Sequence, residues 1–184
     1  MFKNNVKTLI RDIKVLFYFS FHLYYIKLLK NIEKAGVLSE ESPYNQINGT
    51  GFWGIVCNGV SYNYVRDAVR DLGITDKVRV FRAGFSHPLP GKMITDFIRD
   101  CDKVLIVEEG EPYMEEAVKA FAQEEGLATE IKGKGEALFS RMYEFDPAMV
   151  KEKIASYFDL PFAPGKKIDT SDFPQVPQRP PNLC

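Results

Sequence analysis

The segment KVLIVEEGEPYMEEAVKAFAQEEG, Lys103 to Gly126, constrains the fold more than any other part of the chain. Val104, Leu105, Ile106 and Val107 form an unbroken apolar run with three β-branched members, as in a strand covered on both faces. Glu108, Glu109 and Gly110 end the run. Pro112 then suits a first helical turn, where a missing N–H costs nothing, and the acids Glu111, Glu115 and Glu116 favour that end of a helix. Met114, Ala117, Val118 and Phe121 recur at helical spacing. A buried strand passing directly into a helix implies a parallel sheet, and it sets Glu108, Glu109 and Glu111 at the carboxyl edge where open α/β sheets place ligands.

The same rhythm recurs on either side. Phe52 to Cys57 is expected as a strand, broken by Asn58-Gly59, and Ser61 to Leu72 as a helix ended by Gly73. Lys77 to Phe81 is a second strand. RAGFSHPLPG then leads into a helix carrying Met93, Ile94, Phe97 and Ile98. After the Lys103–Gly126 unit come a strand at Ala128 to Ile131, a short candidate edge strand at Met142 to Phe145, and a helix capped by Asp146 that starts at Pro147. The predicted fold class is α/β, a three-layer sandwich around a mainly parallel sheet of about four or five strands.

Residues 2 to 34 read as one long helix with Gly36 as its stop. Its middle, Val15 to Ile26, carries no charge over 12 residues and is aromatic-rich. That is too short to cross a bilayer, which takes roughly 20 apolar residues. Lys27 to Lys30 continue the helical pattern where a cleavage site would stand. Such a helix requires a surface to bury against, and association with a membrane is not expected. Ser39 to Gly51 is polar and turn-rich, as in a linker. Leu160 to Cys184 contains six prolines and reads as an extended connection.

Several chemistries are excluded by what the motifs lack. The turn CNGVSYNYV has one glycine, so the dinucleotide fingerprint is missing; there is no GK[ST] and no GxSxG. The only histidines are His22 and His87, which rules out a multi-histidine metal site. Three cysteines, Cys57, Cys101 and Cys184, contain no CxxC pair and suit a reducing cytoplasm. A net charge of −1 gives no reason to expect nucleic-acid binding.

The candidates that remain are modest. Glu108, Glu109 and Glu111 are an acid/base set or a metal-ligand cluster, or else one buried or partnered carboxylate with solvated charges that favour a helix start. Arg82 and His87 flank the loop after the second strand and suit an anion or an interface. Asn58 and Ser61 stand at a helix N-terminus, as an anion site or as caps. No catalytic, cofactor-binding or metal-binding residue is assigned, and Asn58, Ser61, Arg82, His87, Glu108 and Glu109 are interface or anion-contact candidates. Glu108 and Glu109 are expected to be held by backbone amides or by a basic partner.

Four segments together carry a resemblance: ESPYNQI with GIVCNGVSYNYVRDAV; VFRAGFSHPLPGKMITDFIRDCDKVLIVEEGEPYMEEAVK; the helix after Asp146; and VPQRPPNLC. In this order the chain resembles the middle, transketolase C-terminal-like domain of the alpha subunit of indolepyruvate:ferredoxin oxidoreductase, a thiamine-diphosphate-dependent 2-oxoacid:ferredoxin oxidoreductase. The resemblance covers roughly Glu41 to Cys184, and Cys184 matches the first cysteine of the family's Cys-Pro-Gly-Cys stretch. It implies an enzyme that converts an aryl pyruvate, coenzyme A and oxidised ferredoxin to an aryl-acetyl-CoA, carbon dioxide and reduced ferredoxin, as in amino-acid catabolism. It implies thiamine diphosphate, magnesium and [4Fe–4S] clusters in the full-length subunit, with a beta subunit, ferredoxin and coenzyme A as partners.

The sequence also departs from the family. The GDG-to-Asn thiamine motif and the CxxCxxCxxxCP cluster run do not occur in it, so the family's catalytic residues have no counterparts to carry over. The expected organisation is a helix unlike the family at 1–38, a linker at 39–50, the transketolase C-terminal-like domain at 51–160, and a truncated proline-rich linker at 161–184. The chain alone is expected to be inactive and to pack the thiamine domains and subunits together. The alternatives are a free-standing interaction module and a small-molecule enzyme working through Glu108 or Glu109.

Overall fold

The computed structural model of the chain describes residues 2–135, 138–142, 144–163, 165 and 171, with the side chains of the first helix described from Ser20 onward. The elements in order are α1 (Phe2–Glu40), β1 (Gln46–Asn48), β2 (Trp53–Asn58), α2 (Ser61–Asp71), β3 (Val78–Ala83), α3 (Gly91–Arg99), β4 (Lys103–Val107), α4 (Tyr113–Glu124), β5 (Glu130–Lys132) and α5 (Pro147–Tyr157). They build a five-stranded sheet of order β1-β3-β2-β4-β5. β2, β3, β4 and β5 are parallel, and only β1 runs antiparallel, at the edge beside β3.

The apolar runs are continuous because both faces of the central strands are covered. On one face Ile55, Cys57, Leu105 and Val107 pack with Val65, Ala68 and Val69 of α2 and with Val150 and Ile154 of α5. On the other face Val56, Val104 and Ile106 pack with Ile94, Phe97 and Ile98 of α3 and with Met114, Val118 and Ala122 of α4. Alternate residues of one strand thus enter different cores, as the two-residue period of a strand requires. α5 returns across the sheet against the strand direction. Its start lies by the carboxyl end of β4, where Phe145 N–H donates to Glu109 Oε1 at 3.0 Å. Its end lies at the other rim, where Tyr157 Oη donates to Val104 O at 3.0 Å and Phe158 stacks on Trp53 with centroids 4.9 Å apart.

Three expectations need correction. α1 does not stop at Gly36 but runs on to Glu40. Tertiary contacts carry it past the glycine: the Glu40 carboxylate accepts the N–H groups of Lys92 (2.8 Å) and Met93 (3.1 Å) at the start of α3. The stretch 39–50, read as a linker, is built into the sheet. It contributes β1, and its Asn45 is buried, donating to Ser39 O at 2.6 Å and accepting from Gly84 N–H (2.9 Å) and Phe85 N–H (3.2 Å). Its polar side chains serve the main chain, so polarity alone misreads it. No edge strand forms at Met142, Glu144 or Phe145; Tyr143 lies outside the described residues. Phe145 is instead buried, with its ring stacked on Phe139. Most of the proline-rich stretch at 161–184 also lies outside the described residues.

Candidate functional site

The carboxyl ends of the parallel strands bring together Asn58 after β2, Arg82 near the end of β3, and Glu108 and Glu109 after β4. Cα pairing sets Arg82, Cys57 and Val107 in one row across β3, β2 and β4, so Arg82 stands two strands, or about 10 Å, from the end of β4.

Glu108 is 5% exposed. Its Oε2 accepts Met114 N–H and its Oε1 accepts Glu115 N–H, both at 2.9 Å, satisfying two of the free amides in the first turn of α4. Burial pushes the Glu108 carboxyl up from its ordinary value, against the two amide hydrogen bonds that favour the charged form. Glu109 accepts from Phe145 N–H, and Glu111 pairs with Arg141 on the surface.

A deeper carboxylate, Glu115, lies on the inner side of α4 and is 1% exposed. It accepts the Lys119 ammonium at 2.7 Å, the Lys134 N–H, and the Gly135 N–H at 3.2 Å. Lys134 is itself buried. Its Nζ donates to Ser140 O at 2.7 Å and stands 4.6 Å from the centroid of the Phe145 ring. Desolvation lowers the Lys134 pKa, while Glu108, Glu109, Glu115 and Glu111 act in the opposite sense. Glu115 and Lys134 were not singled out from the sequence. Glu115 was legible, because it stands three residues before Val118 and seven before Ala122 on the buried stripe. Lys134 gave no signal, since its burial depends on a loop returning from β5.

The other candidates do not converge on this cluster. Arg82 is exposed, with its guanidinium 4.8 Å over the Tyr62 ring of α2, in the layer opposite α4. His87 is exposed on the loop before α3. Ser61 is buried at the start of α2, but neither it nor Asn58 caps that helix. The cap position is Val60, with no side-chain hydrogen bond, because Gly59 at φ +50° turns the chain directly into the helix.

Among the described residues no group of three or more His, Cys, Asp or Glu side chains is arranged to hold a metal. Glu108, Glu109 and Glu111 each have a protein partner. Cys57 and Cys101 are buried on opposite faces of the sheet, and burial raises both thiols, Cys101 to about 12. Two buried, protonated thiols separated by a sheet do not fit an iron–sulfur cluster, and the carboxylates do not fit a magnesium–diphosphate group. Among the described residues no helix is long and apolar enough to cross a membrane.

The family model described as the indolepyruvate oxidoreductase domain matches residues 49–168. The indolepyruvate oxidoreductase subunit IorA of Pyrococcus abyssi is 37% identical over 163 residues, covering 85% of this chain and 25% of the relative. That of Methanothermobacter thermautotrophicus is 31% identical over 161 residues, covering 86% and 25%. Such a share exceeds the whole stretch from residue 49 to 184, so the similarity takes in the end of α1 as well. Among solved structures, a 2-oxoglutarate:ferredoxin oxidoreductase from Magnetococcus marinus, with 2-oxoglutarate, coenzyme A and succinyl-CoA bound, matches at TM-score 0.44 and 19% identity over 61% of this chain and 19% of that one. The chain spans about a quarter of the length of the curated relatives it matches. With its parallel sheet and the family match over residues 49–168, the chain belongs to the indolepyruvate oxidoreductase domain family.

Proposed function

We propose that this chain is a structural domain, like the transketolase C-terminal domain, of an indolepyruvate:ferredoxin oxidoreductase alpha subunit acting in the cytoplasm. The α/β body at 51–160 would pack the thiamine domains and subunits against one another. The reaction of the whole enzyme would turn an aryl pyruvate, coenzyme A and oxidised ferredoxin into an aryl-acetyl-CoA, carbon dioxide and reduced ferredoxin. Thiamine diphosphate, magnesium and [4Fe–4S] clusters would be held by other parts of that subunit, and the beta subunit and ferredoxin would be its partners.

The observation that supports this reading is the state of the carboxylates at the sheet's carboxyl edge. Glu108 and Glu109 are hydrogen-bonded to main-chain amides of α4 and of the segment before α5. A general base must reach a substrate proton, and these oxygens are directed at the protein's own backbone. Glu108, Glu109, Asn58, Ser61, Arg82 and His87 therefore act as positioning or interface residues in this reading. Titration calorimetry of the chain with thiamine diphosphate and magnesium tests it. No heat of specific binding is expected, and saturable binding at one site would overturn the reading.

A further inference from the structure

Beside β1 lies a hollow of about 250 Å³. Val69, Val78 and Val80 line it, and all three belong to the core shared with α2. Tyr62, Arg66 and Arg70 of α2 form its wall. On the far side stand Asn48 and Gly49, both exposed. Cα pairing sets Asn48 opposite Val80 and Gln46 opposite Arg82, and residues opposite one another in two strands share a face. Gln46 and Asn48 therefore stand on the α2 face, with Ile47 on the other. β1 pairs with β3 on one side only, and its three residues are exposed. Its free edge presents main-chain N–H and C=O groups.

The charge beside this hollow has one sign. Arg66 and Arg70 are one turn apart on the wall, and the Arg82 guanidinium lies over the Tyr62 ring, 4.8 Å from its centroid. Among the described residues no carboxylate lines the hollow. The acids of α2 answer the arginines only loosely. Asp67 approaches Arg66 at 3.4 Å and Arg70 at 3.5 Å, and Asp71, 3.5 Å from Arg70, is shared with Lys151 of α5. A guanidinium offers more donors than such contacts use.

Size and place select the occupant. Pockets for small ligands measure roughly 300–1,000 Å³, so this hollow suits one apolar side chain better than a whole cofactor. It adjoins a free strand edge, whose main-chain groups pair with another extended polypeptide. The wall from Tyr62 to Arg70 is about 12 Å long at the helical rise, and four residues of a strand span about 13 Å. A segment reading acid-x-apolar-x-acid thus sets its apolar side chain over the valines and its carboxylates against the arginines. A second copy of this chain does not satisfy the site, because its own edge, Gln46-Ile47-Asn48, carries no carboxylate.

We infer that the groove between β1 and α2 docks an extended, acidic segment of a partner polypeptide, added to the sheet beside β1. This goes beyond the proposed function and does not depend on it.

Selection of phage-displayed random heptapeptides on the full chain, followed by fluorescence polarisation of the recovered peptides, tests the inference. The expected peptides carry Asp or Glu at alternate positions about one apolar residue. Their affinity should fall about tenfold in Arg66→Ala/Arg70→Ala. Both arginines are exposed, so the circular-dichroism spectrum should not change. Lys92→Ala, on α3 in the opposite layer, should bind as wild type does. Hydrogen exchange of the Gln46–Asn48 amides should slow when a peptide binds. A selection that enriches no peptide would overturn the inference. So would peptides without carboxylates, an affinity indifferent to Arg66→Ala/Arg70→Ala, or β1 amides that gain no protection. Binding of benzoate in the hollow while no peptide is selected would overturn it as well.

Discussion

Glu108 Oε1 accepts the backbone N–H of Glu115 at 2.9 Å, while the side chain of Glu115 accepts the N–H groups of Lys134 and Gly135. Two carboxylates seven residues apart thus form a relay of anchors. The first fixes the start of α4 to the end of β4, and the second fixes the loop after β5 to α4. Both are buried, and both have main-chain amides as partners.

Removing the first anchor should be costly. Glu108→Ala leaves the Met114 and Glu115 amides without an acceptor in a buried site, a loss of about 1–3 kcal/mol for each unsatisfied group. Glu108→Gln keeps one acceptor oxygen and should lose less. Urea unfolding checks this through a lower midpoint at unchanged slope. Equal stability of wild type and Glu108→Ala would show that these bonds contribute nothing.

The same residue gives a pH dependence with a definite sign. Burial raises the folded-state pKa of Glu108 above its ordinary 4.5. The folded state therefore holds the proton more tightly than the unfolded one. The resulting stabilisation is complete below about pH 4.5 and declines as pH rises through the folded value. The stability of wild type relative to Glu108→Gln should fall between acid pH and neutrality. A difference independent of pH would contradict the assignment.

Trp53 is the single tryptophan, and its ring lies on Phe158 at an interplanar angle of 11°. Phe158 is 2% exposed and closes the end of α5 onto the sheet. Phe158→Ala should cost about 3–5 kcal/mol, as for a large aromatic core truncation. It should also change the native tryptophan emission, which fluorescence during denaturation reads directly. An unaltered native spectrum would mean that the stack does not form.

The thiols should be silent in the folded chain. Cys57 and Cys101 are buried, and the Cys101 pKa stands at about 12. In a Cys184→Ser background, dithionitrobenzoate at mildly alkaline pH is expected to find no thiol until urea is added, and then both. Rapid labelling under native conditions would count against the burial of either.

Gly51 has no room for a side chain. A Cβ there would lie 1.8 Å from the Lys77 carbonyl carbon, beside the bond from Trp53 N–H to Lys77 O at 3.0 Å. The obstacle is backbone, so it yields only if the entry to β2 moves. Gly51→Ala should lower the thermal midpoint far more than Ala at Gly165, where a Cβ meets nothing within 4 Å. Similar midpoints for the two variants would refute this.

The alternation of strands and helices was legible because each apolar run has one period and one length. Val104–Val107, short and rich in β-branched residues, suits a doubly covered strand, and the stripe Val65, Ala68, Val69 suits a helix face. What escaped the sequence depended on distant partners. β1 exists because Gln46–Asn48 pairs with Val80–Arg82, and Ser39–Gly51 has no apolar period to announce it. Glu40 continues a helix past Gly36 by capping another helix 52 residues downstream. At the candidate site, the position of Glu108 followed from the strand end. The acceptor role of Glu115 required the return of the 133–135 loop, which local pattern does not encode.

The path of the chain through the sheet has a mechanical consequence. Gln46 pairs with Arg82, so the polypeptide comes from α1 into the sheet at the carboxyl rim. α5 ends at the amino rim, where the Lys103 ammonium donates to Tyr157 O at 2.8 Å. Entry and exit thus face opposite ways, separated by the height of a six-residue strand, roughly 20 Å. A pull applied between the two is directed along the strands, so the β1–β3 ladder at the entry takes it in shear. Neighbours attached at the two rims would be held apart by the height of the sheet between them.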